Sequence, residues 1–449
     1  LFNKILIANR GEIACRVARA ARALGVKTVA VYSDADAKAL HVEACDEAVR
    51  LGPAPARESY LDAARVLEAA RSTGAEAIHP GYGFLSEQAE FSQACAAAGV
   101  VFVGPPPEAM RALKDKAQAR AVMRDAGVPV VPGSMGHVGD EASAKAAAAS
   151  IGYPLLVKAA AGGGGIGMQV ARDDAELAKA LRSCGDRARA SFGKDALYLE
   201  RYLEKPRHVE VQLFGDGRLT LALGARECSI QRRHQKVVEE APAVAFAEKP
   251  ALLQKLLDAG VLAARTIGYA NAGTAEFLLA GDEFFFIELN ARLQVEHPVT
   301  EATTGLDLVQ LQLRIASGEK LQIGQGDIGV NGAAIECRIN AEDPVKFFPS
   351  PGPVKVFDTP VPADGLFHDG VRIDAGVRAG DVVTPYYDSL LAKLIVHAPT
   401  RAQAIERLAR ALAAFRVEGV KTNLPLHQRI VASEAFARGE LDTHFLERL

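Results

Sequence analysis

Over the first quarter of the chain, short apolar runs alternate with longer amphipathic stretches. Residues 4–8, 28–32, 75–79 and 100–103 read as strands, and 13–24, 60–72 and 91–98 as helices. Strands alternating with helices predict a parallel sheet covered by helices, the α/β class. Residues 115–126 predict a helix stopped by Gly127 and Pro129, and Pro132, Gly133 and Gly136 mark a linker. The pattern then changes. Strands at 154–158, 169–171 and 197–201 surround a glycine loop and a helix from Asp173. Beyond them, residues 208–214 and 219–225 flank Gly215-Asp216-Gly217, and 272–279 and 283–289 flank Gly281-Asp282. Both are hairpin signals, so the remainder predicts an antiparallel sheet with helices such as 251–267 packed on it, the α+β class. A last amphipathic helix, 401–415, is expected to close the chain. The expected division is 1–113 for the first lobe, 114–131 for linker helices, 132–203 for a small glycine-rich lobe and 204–449 for the C-terminal lobe.

Composition narrows the function without naming it. The 449 residues are too many for one core, and a formal net charge of −3 lacks the basic excess of a general nucleic-acid binder. No uninterrupted apolar run reaches membrane-span length. The six cysteines form no C-x-x-C pair, so reduced thiols and a reducing compartment, the cytosol by default, are expected.

Three clusters carry candidate chemistry. Lys158 ends an apolar strand, and Gly162, Gly163, Gly164, Gly165, Ile166, Gly167 and Met168 follow. Such a loop lets backbone N–H groups approach a polyphosphate, while a strand-end lysine reaches its oxygens. No Lys-Ser or Lys-Thr follows the last glycine, so it is not a Walker A loop. A surface hairpin is the plain alternative. The second cluster is the ribbon Gly273–Phe277 and Phe286–Asn290. A turn centred near Asp282 sets Glu276 opposite Glu288. Like charges facing across a sheet repel, and a divalent cation reverses the sign, Mg²⁺ or Mn²⁺ suiting hard oxygen ligands beside a phosphate loop. If the chain stays extended, Asn290, Arg292, Gln294 and Glu296 join the same face. The plain alternative is a solvated polar edge of the sheet, which Phe284 and Phe286, sharing that parity, fit badly. The third cluster, Gln231 to Lys236, is by itself a solvated basic loop. Beside a metal-bound triphosphate its cations gain a role. His79, His208 and His297 lack metal-ligand spacing and are expected to hydrogen-bond.

Nearly the whole chain resembles biotin carboxylase, the ATP-grasp component of biotin-dependent carboxylases. The resemblance rests on Lys4–Ala14 (KILIANRGEIA), His79–Glu87 (HPGYGFLSE), Glu227–Pro242 (ECSIQRRHQKVVEEAP), Arg292–Glu301 (RLQVEHPVTE), Glu336–Pro344 (ECRINAEDP) and Pro385–Leu394 (PYYDSLLAKL). It implies an ATP-grasp fold with a Rossmann-like first lobe and a glycine-rich lid. Lys116, Lys158, His208, Gln231 and His234 would contact ATP, with Gly163, Gly164, Gly165 and Met168 on the lid. Glu200 and Leu203 would frame the adenine. Glu276 and Glu288 would hold two Mg²⁺ or Mn²⁺ ions, with Asn290 nearby. Lys236, Arg292, Gln294 and Val295 would hold bicarbonate. Glu296 would be the general base and Arg338 would stabilise the biotin enolate. A free glutamate has a pKa of about 4.3, so this base needs a raised pKa or stabilisation of the product charge by Lys236 and Arg292.

Two positions depart from the family pattern: Ile166 replaces a cation, and Ala291 a small polar residue. No methionine is followed by lysine, so the Met-Lys-Met biotin site is absent from this sequence. Biotin is therefore expected on a carrier domain elsewhere, with a carboxyltransferase as further partner and a homodimer as the family's assembly. Leu1 in place of an initiator methionine and an end soon after Phe445 suggest a domain boundary or a trimmed chain. The cytosol remains the default compartment, beside the mitochondrial matrix. Two other readings stay open: an ATP-grasp ligase making carbamoyl phosphate or activating a carboxylate for an amine, and a nucleotide-binding module without activity.

Overall fold

The computed structural model describes residues 1–134, 136–159, 168–192, 196–233 and 235–449. In the first lobe, β1 (Lys4–Ile7), β2 (Lys27–Ser33), β3 (Glu47–Gly52), β4 (Ala77–His79) and β5 (Val101–Phe102) form a parallel sheet of order β3-β2-β1-β4-β5. Ile5, Leu6 and Ile7 at its centre are fully buried, as a sheet covered on both faces requires. The sequence pattern missed β3: four of its six residues, Glu47 to Arg50, are solvent-facing or half-buried, so the strand carries no apolar run.

The helix Lys116–Asp125 begins where expected, with the Asp115 side chain accepting the Gln118 N–H as its cap. The following linker is held in place. Its backbone bridges Phe286 at Val130, Glu200 at Gly133 and Leu197 at Val138. A small sheet follows: β6 (Leu155–Ala159), β7 (Met168–Ala171) and β8 (Leu197–Arg201) in the order β7-β6-β8, all antiparallel. Helices Glu141–Ile151 and Asp174–Phe192 pack on it through Ala144, Ala148, Leu177, Ala180 and Cys184. The first of these was not anticipated, because its alanine-rich run has little apolar contrast between faces. Asp140 and Ser143 cap it reciprocally.

The largest sheet contains β9 (Arg207–Asp216), β10 (Thr220–Arg232), β11 (Gln235–Ala241), β12 (Ala270–Ala280), β13 (Glu283–Asn290) and β14 (Ala333–Asn340). Two short pairs stand apart from it: β15 (Gly352–Pro353) with β18 (Val382–Val383), and β16 (Val356–Asp358) with β20 (Arg416–Glu418). With β17 (Val371–Ala375) and β19 (Leu390–Ala398) the eight-stranded order is β13-β12-β9-β10-β11-β14-β19-β17. Its two faces differ in chemistry. One is apolar. Helix Pro250–Thr266 covers Val209, Val211, Leu213 and Phe277 at one end, and helices Arg401–Ala414 and Leu424–Ala432 cover Ile335, Cys337, Leu394 and Val396 at the other. The other face turns toward the first lobe: at one end Phe214, Leu221, Leu223 and Ala272 join Ile13 and Val17 in an apolar cluster, and beyond it the face carries charged and polar residues. Helix Arg401–Ala414 buries Ala404, Leu408, Ala411 and Leu412, one stripe of a 3.6-residue repeat. It does not close the chain as expected, since helices Leu424–Ala432 and Glu434–Ala437 follow it. No described helix is long and apolar enough to cross a membrane.

Candidate active site

The hairpin β12–β13 sets the carboxylates. Near its turn the register follows a two-residue loop: Ala280 pairs with Glu283, and Phe277 with Phe286. A bulge at Ile287 then shifts the register, and Glu276 pairs with Glu288. The bulge resolves the awkward parity read from the sequence. Phe284 and Phe286 fall on the apolar face, where both meet the Phe277 ring edge-on, while Glu288 and Asn290 stay with Glu276. One inserted residue thus buries two phenylalanines and leaves both acids on the polar face.

The expected extended run past Asn290 is not observed. Strand β13 ends at Asn290, residues 291–296 turn, and Glu296 immediately precedes the helix His297–Thr304. Side-chain bonds bring the same residues together instead. Arg292 Nη2 donates to Asn290 Oδ1 at 3.1 Å and Nη1 to Gln294 Oε1 at 2.9 Å. Gln294 Nε2 donates to Glu276 Oε1 at 3.3 Å. Lys236 is the hub. Its Nζ lies 2.5 Å from Glu210 Oε2, 2.8 Å from Glu276 Oε1 and 2.7 Å from Glu296 Oε1. Arg338 Nη2 donates to the other Glu296 oxygen at 2.9 Å, while its Nε donates to Glu239 at 2.6 Å. On the ribbon's other side, Lys116 Nζ pairs with Glu288 at 2.7 Å. His208 Nε2 lies 3.3 Å from Glu276, and His208 Nδ1 bonds Gln231 at 2.6 Å. Val295 joins through its carbonyl, which accepts from Lys393 at 3.0 Å.

A second group lies on the small lobe. Lys158 Nζ donates to Glu200 Oε2 at 2.7 Å, and Arg120 pairs with the other oxygen of Glu200. Burial, then Arg120 and Lys116, push the Lys158 ammonium down toward about 8, and the Glu288 charge opposes them. Met168 pairs with Lys158 across β6 and β7. Leu203 packs with Val131 and Phe285 in a small apolar wall. Gly163, Gly164, Gly165, Ile166 and His234 lie outside the described residues.

The sequence reading missed several members of the site. Glu210, fully buried, accepts from both Arg226 and Lys236. Its signal was present, since alternation from His208 puts it on the same face. Glu87 reaches in from the first lobe, accepting the Ala291 N–H at 3.1 Å and Arg292 Nε at 2.9 Å. Glu239 pairs with Arg338 from β11. Pairings across some 100 to 200 residues leave no local pattern. The histidines behave as expected in part. His79 contacts Gln312 and His297 contacts the Gln294 carbonyl, but His208 also lies with Glu210 and Glu276 so that one ligand atom of each is within 4.8 Å of the others.

Charge balance explains why these acids stay ionised. Burial alone would raise the Glu296 carboxyl, but Lys236, Arg338 and Arg226 outweigh it and hold it well below the ordinary carboxylate range. Glu276 is likewise held low against burial by Lys236 and His208. The Glu276–Glu288 pair fits a hard divalent cation. Two acids face each other on one sheet face, each touching a lysine ammonium, with His208 Nε2 3.3 Å from Glu276.

A lysine-bearing small sheet thus sits by a two-carboxylate ribbon, and one ammonium joins that ribbon to a buried acid. Three family models cover the chain: biotin carboxylase N-terminal domain over residues 1–110, carbamoyl-phosphate synthase L chain ATP-binding domain over 115–324, and biotin carboxylase C-terminal domain over 336–448. The biotin carboxylase of Pseudomonas aeruginosa is 50% identical over 100% of this chain and 98% of its own length. A pyruvate carboxylase subunit from Methanothermobacter thermautotrophicus is 49% identical over 100% of this chain and 90% of its own length. The biotin carboxylase domain dimer of Hydrogenobacter thermophilus 2-oxoglutarate carboxylase, solved with MgADP, ADP and bicarbonate, superposes with a TM-score of 0.91. It shares 46% identity and covers 100% of this chain and 98% of its own. The chain belongs to the biotin carboxylase family.

Proposed function

We propose that this chain carboxylates biotin, using ATP and bicarbonate by way of carboxyphosphate. The observation that carries the reading is the Lys236 ammonium, which joins the metal-type carboxylate Glu276 to the buried acid Glu296. A substrate anion entering between Lys236 and Arg292 meets a carboxylate and two cations together.

Lys116, Lys158, His208, Gln231 and His234, with Gly163, Gly164, Gly165 and Met168, are assigned to ATP. Glu200 and Leu203 are assigned to the adenine. Glu276 and Glu288, with Asn290, would hold Mg²⁺ or Mn²⁺, which supplies neutralisation of phosphate charge. Lys236, Arg292, Gln294 and Val295 receive bicarbonate. Glu296 accepts its proton. Because Glu296 is a weak base while Lys236 and Arg338 hold it, the transfer depends on Lys236 and Arg292 stabilising the doubly charged product. An oxygen of that carbonate attacks the γ-phosphorus, the bond to ADP breaks, and carboxyphosphate forms. Its C–O bond then breaks to give CO₂ and phosphate. Phosphate takes the ureido proton, Arg338 stabilises the biotin enolate, and the enolate nitrogen attacks CO₂.

Residues 1–113, 114–131, 132–203 and 204–449 are the proposed functional divisions. Biotin is proposed to arrive on a carrier domain and to leave for a carboxyltransferase, with a homodimer as the assembly. Six unpaired thiols support a reducing compartment, cytosol or mitochondrial matrix. The test is phosphate release from MgATP by the purified chain. Dependence on bicarbonate with stimulation by free biotin is expected. Equal hydrolysis without both compounds, or turnover needing ammonia instead, would refute the reading.

A further inference from the structure

Lys393 is fully buried on β19, although no step above uses it. Its cross-strand neighbours are Arg338 on β14 and Asp374 on β17. Two cations side by side in a dry sheet repel, so each needs its own anions. Arg338 takes Glu239 and Glu296. Lys393 turns elsewhere: its Nζ lies 3.1 Å from Glu12 Oε2, 3.8 Å from Asp374 Oδ2 and 3.0 Å from the Val295 carbonyl oxygen. These acceptors come from three places. Glu12 belongs to the first-lobe helix Gly11–Ala23 and also accepts the Tyr82 hydroxyl. Asp374 belongs to the C-terminal sheet. Val295 belongs to the turn that ends in Glu296.

Glu12 and Asp374 alone would explain a structural lysine. The carbonyl contact does more, because it fixes the peptide between Val295 and Glu296. The start of the same turn is held by Glu87, through the Ala291 N–H and Arg292. A six-residue turn without regular structure is thus clamped at its start by an acid of the first lobe and at its end by Lys393.

We propose that Lys393 is a positioning residue for the anion-binding turn, holding the Val295 carbonyl so that the Val295 backbone and the Glu296 carboxylate meet the same bicarbonate. The inference rests on the function proposed above. It predicts a defect in bicarbonate use that spares ATP.

The test is steady-state turnover of the full chain with MgATP, bicarbonate and free biotin. K393M removes the donor at similar side-chain length. E12Q/K393M also neutralises the acid left behind, so that a fold is kept if K393M alone loses it. In the folded variant the KM for bicarbonate should rise roughly tenfold, the effect of one charge-assisted hydrogen bond. The KM for ATP should stay within about twofold of wild type, since Lys393 touches no residue assigned to the nucleotide. An unchanged bicarbonate KM, a parallel rise for ATP, or failure of both variants to fold would reduce Lys393 to an ion-pair residue and overturn the proposal. Wild-type protein lacking bicarbonate- and biotin-dependent turnover would instead refute the function itself.

Discussion

The small lobe around β6, β7 and β8 and the polar face of the eight-stranded sheet are both buried under helices, yet by opposite means. In the small lobe, Ala144, Ala148, Leu155, Val157, Leu177, Ala180 and Leu199 meet in an apolar core, and its buried acid, Glu200, pairs with Lys158 and Arg120. Under helix His297–Thr304 a small apolar cluster of Val299, Ala241, Ala334 and Ile395 is flanked by ionic contacts. Glu301 pairs with Arg16 and Arg372, Arg372 with Asp374, and Arg338 with Glu239 and Glu296. Apolar packing is non-directional and tolerates small shifts. A dry ion-pair network is not tolerant, because any partner that moves leaves a bare charge. The difference matches the roles proposed: one region holds a nucleotide from above, the other fixes the atoms around a reacting anion.

The largest effect is expected where the network meets chemistry. Glu296→Gln should lower biotin-dependent turnover by about 10²- to 10⁴-fold while ATP binding, read by calorimetry, persists. An unchanged rate would remove Glu296 from the reaction. Next, Glu301→Gln leaves Arg16 and Arg372 short of a charge in a dry site and should cost about 3–5 kcal/mol in urea unfolding. A cost near zero would mean that the network is solvated and the comparison false.

Acid should separate the two regions. Glu296, Glu301, Asp374 and Glu276 all have carboxyl pKa values held below the ordinary range, against burial, by neighbouring cations. A depressed folded-state pKa contributes stability that is present above about pH 4 and lost as pH falls through the folded value. Segment-resolved hydrogen exchange should therefore show protection lost around β14, β17 and β19 on acidification while β6 and β8 keep theirs. The reverse order would contradict the assignment of the ionic region. Glu239 and Glu336 run the other way, since burial raises both, Glu239 to about 7. A raised folded-state pKa adds stability as pH falls, so these two acids oppose the acid effect. The smallest effect belongs to the small lobe: Asp140→Ala removes one half of a capping box and should cost about 1 kcal/mol, seen as faster exchange in helix Glu141–Ile151.

Sequence made the two regions unequally legible. Strands β6 and β8 announced themselves by apolar runs, and the β12–β13 hairpin by its glycine turn, because these signals are local. The bulge at Ile287 was invisible, since one extra residue has no composition of its own, and yet it decides which face Glu288 takes. The convergence of Arg292, Gln294 and Glu296 was foreseen for the wrong reason: extended backbone was expected, and a turn clamped by Glu87 and Lys393 does the work. The ionic residues Glu239, Arg16 and Arg372 have partners on distant segments. Charge at those positions reads as surface until the fold shows it buried.

The central claim is that Glu296 and its cations turn bicarbonate into a nucleophile toward the γ-phosphate. Bicarbonate carrying heavy oxygen tests it most directly, with the inorganic phosphate released in the presence of biotin analysed by mass spectrometry. The account predicts that one labelled oxygen per turnover passes from bicarbonate into phosphate, because the bridging oxygen of carboxyphosphate stays on phosphorus when the C–O bond breaks. Phosphate free of label, its new oxygen drawn from water, would contradict it.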